Sequence, residues 1–250
     1  MKIGCVIPAH LKSVRFPRKI LFFIKGLEMV EHVRRRALLC KSLNQNVYVA
    51  TGDKKILNLV KKNNGKVIKT YNQHLNGTSR VAEAIKYTDL THVIILQGDE
   101  PLIYPEYLDS FVKTIKKDKK VDCWNLIAPI KHINDLNKKS FVKGIIDKNN
   151  YIIELDRKIN SKKINQAYKI LGLIALKRKA LLKIVKTKPS INEKYKFIEQ
   201  LRIIENRMTL KGVRVRHALP SINEKKDLKK VLYELKKNKK QIKIFKKILK

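Results

Sequence analysis

Leu96-Gln97-Gly98-Asp99-Glu100-Pro101-Leu102-Ile103 is the stretch around which the chain organises itself. Ahead of it, His92 to Leu96 predicts a short buried strand, because Val93, Ile94 and Ile95 form a continuous apolar run and not an alternating one. The polarity then changes abruptly. Gly98 permits a sharp turn, Asp99 and Glu100 place two carboxylates at the strand's C-terminal end, and Pro101 stops the strand. In an open α/β sheet that edge is where ligands bind. Paired acids there suit a hard cation such as Mg²⁺, which takes one or two carboxylates and leaves its other positions to water and phosphate oxygens. The alternative is an acidic turn that only caps a helix starting near Pro105.

The chain has 250 residues, enough for one large α/β domain or a domain with a smaller lobe. No segment approaches the roughly 18 uninterrupted apolar residues of a membrane span. Met1 to Ala9 runs straight into a basic loop, which predicts a first strand and not a signal peptide. Cys5, Cys40 and Cys123 are widely spaced among apolar neighbours, the pattern of reduced, buried thiols in a cytoplasmic protein. The formal charge of +37 admits two readings, a surface that attracts polyanions or a compositional drift toward Lys, Ile and Asn. The lysines are spread along the chain without interleaved aromatics, which favours drift and argues against a specific nucleic-acid partner.

Lys2 to Pro8 predicts the first strand, and AHLKSVRFPRK from Ala9 to Lys19 follows it. His10, Lys12, Arg15, Arg18 and Lys19 crowd cations into the first strand-to-helix crossover, where doubly wound folds bind phosphate. Without a Gly-rich cradle the loop is neither a P-loop nor a dinucleotide fingerprint, so side chains would do the holding. A solvated basic loop is the plain alternative. Ile20 to Ile24 reads as a short strand before a turn at Lys25-Gly26, Met29 to Leu39 as a helix, and Val47 to Ala50 as a strand. Thr51-Gly52-Asp53 supplies N-cap chemistry for a helix to about Lys62, and Lys66 to Lys69 is a third strand. This alternation indicates a mostly parallel sheet. Asn76, Gly77 and Thr78 then stand at a helix N-terminus, where backbone N–H groups and a hydroxyl can receive an anion or the edges of a nucleotide. His74 reads as a loop residue, since no second His or Cys lies at ligand spacing.

Beyond it, Glu106 to Lys117 predicts a helix, Asp122 to Ile130 a strand, and Phe141–Ile146 with Tyr151–Leu155 a hairpin around Lys148-Asn149-Asn150. Trp124 and Tyr151 read as core or interface anchors. Leu171 to Leu176 is a strand candidate, Tyr195 to Asn206 a helix, and Val213 to Ala218 the last strand. From Asp227 onward two apolar helical faces alternate with lysine. Docking on the body is the expectation, with weak contact to an anionic membrane surface as the alternative.

Three stretches together resemble the CMP-KDO synthetases, the 3-deoxy-manno-octulosonate cytidylyltransferases. IPAHLKSVRFPRK at residues 7–19 is similar to that family's I-P-A-R-x-x-S-x-R-x-P-G-K, NGTSRVAEA at 76–84 to its G-T-x-R-x-A-E, and LQGDEPLI matches almost residue for residue. Weaker likeness continues through Phe141–Ile146, LGL at 171–173 and IEQLRIIE at 198–205, so it covers the chain to about Leu228. The resemblance implies a Rossmann-like α/β nucleotidyltransferase fold with a mostly parallel central sheet and a smaller antiparallel hairpin region. It implies one domain over residues 1–223, a hairpin and dimerisation region at about 135–170, and a basic helical segment at 224–250. The implied reaction transfers CMP from CTP to the anomeric hydroxyl of an acidic eight-carbon sugar with Mg²⁺, in a cytoplasmic homodimer. Arg15, Lys19 and Asp99 would be catalytic. Pro8, Ala9, His10, Asn76, Gly77, Thr78, Arg80 and Gln97 would join Arg15 and Lys19 on the nucleotide, Glu100 and Gln200 would face the sugar, and Asp99 with Asn223 would hold the metal.

The departures from that pattern are informative. His10 replaces an arginine, Arg18 replaces a glycine, and Asn223 stands where a second metal-binding aspartate is expected, with Glu224 beside it. The segment before Gly172 lacks an expected histidine, and Ile174 replaces a sugar-side tyrosine. Two further readings therefore stay open: a cytidylyltransferase for another acidic, neuraminate-like sugar, and a non-catalytic homologue that binds nucleotide or nucleic acid.

Overall fold

The computed structural model describes residues 1–71, 73–130 and 132–250, and the chain divides into two compact units. The first comprises Met1–Lys113 and Leu219–Lys250, the second Thr114–Ala218.

The first unit is built on β1 (Ile3–Pro8), whose every residue is buried. After it come a small hairpin of β2 (Phe23–Ile24) and β3 (Leu27–Glu28), α1 (Met29–Leu38), β4 (Val47–Thr51), α2 (Lys54–Lys62), β5 (Val67–Lys69), α3 (Gly77–Ala84), β6 (His92–Leu96) and the larger part of α4 (Pro105–Lys117), whose last residues fall in the second unit. β6, β1, β4 and β5 lie side by side and all parallel, with Cys5 opposite both Ile94 and Val47. The continuous apolar runs predicted this: a parallel strand covered on both faces has no solvent side on which to place polar residues. The Ile20–Ile24 strand shrinks to Phe23–Ile24, because Lys19–Leu21 instead closes a 3-10 turn.

The C-terminal helices α8 (Leu228–Lys237) and α9 (Lys239–Ile248) complete this unit. Leu228, Val231 and Leu235 enter an apolar cluster with Phe16, Ile24, Met29, Leu102 and Ile222. Gln241 Nε2 donates to the Leu102 carbonyl at 2.8 Å, the His32 ring stacks on Phe245 at 5.3 Å, and Arg35 Nη1 donates to the Ile248 carbonyl at 2.8 Å. The apolar faces of this lysine-rich tail are therefore docked on the body. Among the described residues no helix is long and apolar enough to cross a membrane.

The second unit contains β7 (Cys123–Pro129), β8 (Lys143–Ile146), β9 (Ile152–Asp156), β10 (Ala167–Lys177), α5 (Arg178–Lys186), α6 (Ile191–Lys196), α7 (Leu201–Glu205) and β11 (Leu210–Arg214). β7 lies between antiparallel β10 and parallel β11, and the hairpin of β8 and β9 extends from β10. Register slips between Ile170 and Ile174, so the Leu171–Leu173 backbone bulges out of the ladder. The expected helix over Tyr195–Asn206 is broken: Phe197 takes φ 53°, which ends α6, and α7 begins only at Leu201. The last strand lies at Leu210–Arg214, upstream of the expected Val213–Ala218, because Cys123–Ile127 pairs with that earlier segment.

Leu235 ties α8 to the cluster that also holds Phe16, Leu102 and Ile222. Leu235→Ala removes buried apolar volume and should cost about 2–5 kcal/mol of stability, read as a lowered midpoint in urea or thermal unfolding. An unchanged midpoint would mean the tail is only loosely attached.

Candidate active site

Three segments of the first unit converge at the C-terminal edge of β1 and β6. Two glycines allow the approach. A Cβ on Gly77 would lie 2.9 Å from the ring carbon Pro8 Cγ, leaving no room for a side chain, whereas one on Gly98 would lie 2.6 Å from Ile20 Cδ1 and would require that side chain to shift. The loop after β1 closes through Arg18, which adopts the left-handed conformation at φ 55° and ψ 22°. A glycine would take that geometry at no steric cost. The arginine adopts it at a cost of roughly 1–2 kcal/mol of strain.

The loop delivers Lys19 to the acidic turn. Lys19 Nζ lies 2.5 Å from Asp99 Oδ2 and 3.1 Å from the carbonyl oxygen of Ile222, and the Ile222 N–H donates to the Asp99 carbonyl at 2.9 Å. Next in sequence, Asn223 turns Oδ1 toward Arg15 Nη2 at 3.5 Å, while its Nδ2 donates to Ser221 Oγ at 3.3 Å. Glu224 is 4.0 Å from Arg15 and 2.7 Å from Lys226, and it joins Asp227 in a capping box at the 3-10 turn leading into α8. Arg15 and Lys19 of one loop, Asp99 and Asn223 thus come from three separate segments to form one connected group, with Glu100 next to Asp99.

On the other side of Pro8, Asn76 caps α3 by accepting the Ser79 N–H at 2.8 Å, and Thr78 and Arg80 are buried in its first turn. Arg80 Nη1 donates to Thr70 Oγ1 at 2.5 Å. His74 is fastened to the same helix, with Nε2 2.6 Å from Glu83 Oε2 and Nδ1 3.2 Å from Ser79 Oγ. Gln97 precedes Gly98, and its Oε1 would be 3.5 Å from a Cβ on Gly77. Ala9 is buried and donates its N–H to the Ala50 carbonyl at 2.9 Å. His10 is exposed at the loop's start. The loop around it still strips part of the water from its ring, which lowers its pKa, as does the Arg80 cation; Asp53 opposes this, and Lys19 lowers it further.

Several contributors were not legible in the sequence. Asp53 stands at the N-cap position of α2, yet its Oδ2 accepts the Leu11 N–H at 3.0 Å and so steadies the cationic loop instead of capping the helix. The Ile222 carbonyl and the Asp227 carboxylate, which accepts the Asn223 and Glu224 N–H groups at 2.9 Å each, left no residue-type signal. Gln200 belongs to the second unit, where its Nε2 reaches Asn125 Oδ1 at 3.4 Å.

The donor set suits Mg²⁺. Among the described residues no three His, Cys, Asp or Glu side chains cluster as a cage. Mg²⁺ needs none, because it binds through one or two protein oxygens with phosphate and water filling the octahedron. The ammonium of Lys19 against Asp99 marks that carboxylate as a seat for a cation.

A cationic loop, a helix N-terminus and an aspartate that meet at the C-terminal edge of a parallel α/β sheet form a site suited to the phosphates of a nucleotide. The model of the cytidylyltransferase family matches residues 4–214, and the chain belongs to that family. A 3-deoxy-manno-octulosonate cytidylyltransferase of Fusobacterium nucleatum is 34% identical to it over 243 residues, spanning 95% of this chain and 98% of the relative. One of Geotalea uraniireducens is also 34% identical, over 95% of this chain and all of the relative (100%). The solved structure of CMP:2-keto-3-deoxy-manno-octonic acid synthetase complexed with CTP superimposes with a TM-score of 0.87 at 28% identity, over 94% of this chain and 99% of the other. A glucose-1-phosphate thymidylyltransferase of Bacillus anthracis shares the fold with a TM-score of 0.68 at 14% identity, over 94% and 96% of the two chains.

With its pKa lowered, His10 is neutral at pH 7.5 and brings no charge to the loop. His10→Arg supplies a permanent cation and should lower the KM for CTP about threefold to tenfold at that pH. As pH falls through the pKa of His10 the wild-type imidazole gains its proton and the gap narrows. Equal KM values for the two proteins at every pH would contradict a phosphate-facing role.

Proposed function

We propose that this chain transfers CMP from CTP to the anomeric hydroxyl of 3-deoxy-manno-octulosonate and releases pyrophosphate. The observation that carries the reading is the joining of Lys19, Asp99 and the Ile222 backbone into one group in a member of the cytidylyltransferase family. The names of the relatives, and of the CTP-bound structure that superimposes on this chain, support the same choice of nucleotide and sugar.

In this reading Arg15 and Lys19 hold the triphosphate and offset charge on the departing pyrophosphate. Arg15 is suited to bidentate contact, and Lys19 acts as a point charge. Pro8, Ala9 and His10 line the nucleotide's path, and Asn76, Gly77, Thr78, Arg80 and Gln97 receive its ribose and base. Glu100 and Gln200 are sugar contacts. Asp99 and Asn223 would hold Mg²⁺, which neutralises phosphate charge when bound. The anomeric oxygen forms a bond to the α-phosphorus, the bond from that phosphorus to the bridging oxygen breaks, pyrophosphate leaves with the electron pair, and the hydroxyl proton passes to water. Holding the two reactants in line supplies much of the rate. Ile174, aliphatic where the resemblance expects a phenol, favours a second reading in which the acceptor is a related acidic sugar.

A second copy of this chain is proposed as the partner, with residues 135–170 and their flank at the interface. Ile133 and Ile153 are 55% and 57% exposed there, and sedimentation should give the mass of two chains. A single-chain mass would count against it. The free, buried thiols of Cys5, Cys40 and Cys123 support a reducing cytoplasmic setting.

Pyrophosphate release should occur with CTP and 3-deoxy-manno-octulosonate, and not with UTP, GTP or ATP. Absence of release together with no thermal stabilisation by CTP would overturn the reading. Asn223→Asp adds a charged oxygen to the seat, so half-maximal activity should need about tenfold less Mg²⁺. An unchanged requirement would mean that another residue completes the site.

A further inference from the structure

Asn125 lies on β7 in the second unit, opposite Ile174 of β10, with no exposed surface. A buried amide must satisfy its hydrogen-bonding groups from the protein. Its Nδ2 donates to two carbonyls, Leu126 O at 3.0 Å and Leu171 O at 3.1 Å. Leu171 belongs to the segment where β10 slips register, so the bulge frees that carbonyl from the ladder and aims it at the side chain. Carbonyls only accept. Rotating the Asn125 amide by half a turn would set Oδ1 against both carbonyl oxygens, acceptor against acceptor. The amide therefore has one orientation, with Oδ1 presented to Gln200.

That orientation fixes the next one. Gln200 ends its side chain 3.4 Å from Asn125 Oδ1, and only its Nε2 can donate there. Gln200 is partly exposed just ahead of α7, and no protein donor reaches its Oε1 among the described residues. The polarity runs in a chain from the Leu171 carbonyl through Asn125 to Gln200, and it ends in an acceptor.

We infer that Asn125 is a positioning residue that locks Gln200 with Oε1 toward the acceptor sugar, so that Gln200 reads a hydroxyl of that sugar by accepting its proton. This rests on the reading of Gln200 as a sugar contact. The consequence is specificity: Gln200 recognises a hydrogen-bond donor and meets a carboxylate or carbonyl with oxygen against oxygen. An amide free to turn could serve either group equally well; the locked one cannot.

The test uses wild-type enzyme and acceptor analogues in which one hydroxyl at a time is replaced by hydrogen or by fluorine. Fluorine keeps acceptor character and loses the donor. At one position both replacements should raise the KM for the sugar equally, about fivefold to tenfold, with the KM for CTP within about twofold of its value for the parent. Gln200→Ala should show the same rise with the parent sugar and no further loss with those two analogues. Asn125→Leu should raise the KM for the sugar while leaving kcat and the KM for CTP near wild type. A fluorinated analogue that binds like the parent where the deoxy analogue is weak would overturn the assigned polarity and leave the sugar contact standing. An unchanged sugar KM in Gln200→Ala would sink the sugar-contact reading and this inference with it. An unchanged sugar KM in folded Asn125→Leu would remove Asn125 alone.

Discussion

The ammonium of Lys19 lies between the carboxylate of Asp99 and the carbonyl of Ile222, and the site depends on that placement. Lys19 and Asp99 are 15% and 22% exposed, so water screens the pair only in part. A pair of this kind adds little net stability, since desolvation offsets most of the Coulomb gain. Its larger effect is positional. One charge from the loop after β1, one from the loop after β6 and a carbonyl from the segment ahead of α8 can meet only if all three loops take the observed shape. In the proposed reaction the same ammonium has a competing anion, the triphosphate. With the ammonium drawn toward the phosphates, the Asp99 carboxylate would be free to hold Mg²⁺, which would supply the positive charge the ammonium gives up.

The burial of α8 and α9 is part of this arrangement. The family match ends at residue 214, yet Ile222 and Asn223 come from the chain beyond it. The segment carrying them is anchored on both sides of the site. Ile222 packs with Phe16, Leu102 and Leu235, and Gln241 of α9 holds the carbonyl of Leu102, three residues from Asp99. Val231, Leu235 and Ile244 account for the docking of these helices, and Lys240 of α9 pairs with Glu106 and lies 4.2 Å from the centre of the Tyr104 ring.

The parallel sheet was readable because its strands are apolar on both faces, and the Asp99 turn because glycine, carboxylates and proline stand together. The Asn76 cap was readable from its Asn-Gly-Thr sequence. What stayed hidden followed from backbone geometry and long-range pairing. Phe197 carries no chemical sign of its left-handed conformation, so a continuous helix seemed to cross it. The edge of β11 is set by its partner β7 and not by its own residues. Asp53 looked like a cap because of its position, whereas a loop 42 residues upstream claims its carboxylate. Arg18 shows the converse: its residue type rarely takes the left-handed conformation that it adopts here at φ 55°.

Crystals grown with CTP and Mn²⁺ test the central claim most directly, because the anomalous signal of manganese locates the metal without reference to activity. The account predicts manganese bound to Asp99 Oδ2 and a phosphate oxygen, with Lys19 Nζ moved from the carboxylate to the phosphates. Manganese bound elsewhere, or Lys19 still paired with Asp99 beside a bound nucleotide, would contradict it.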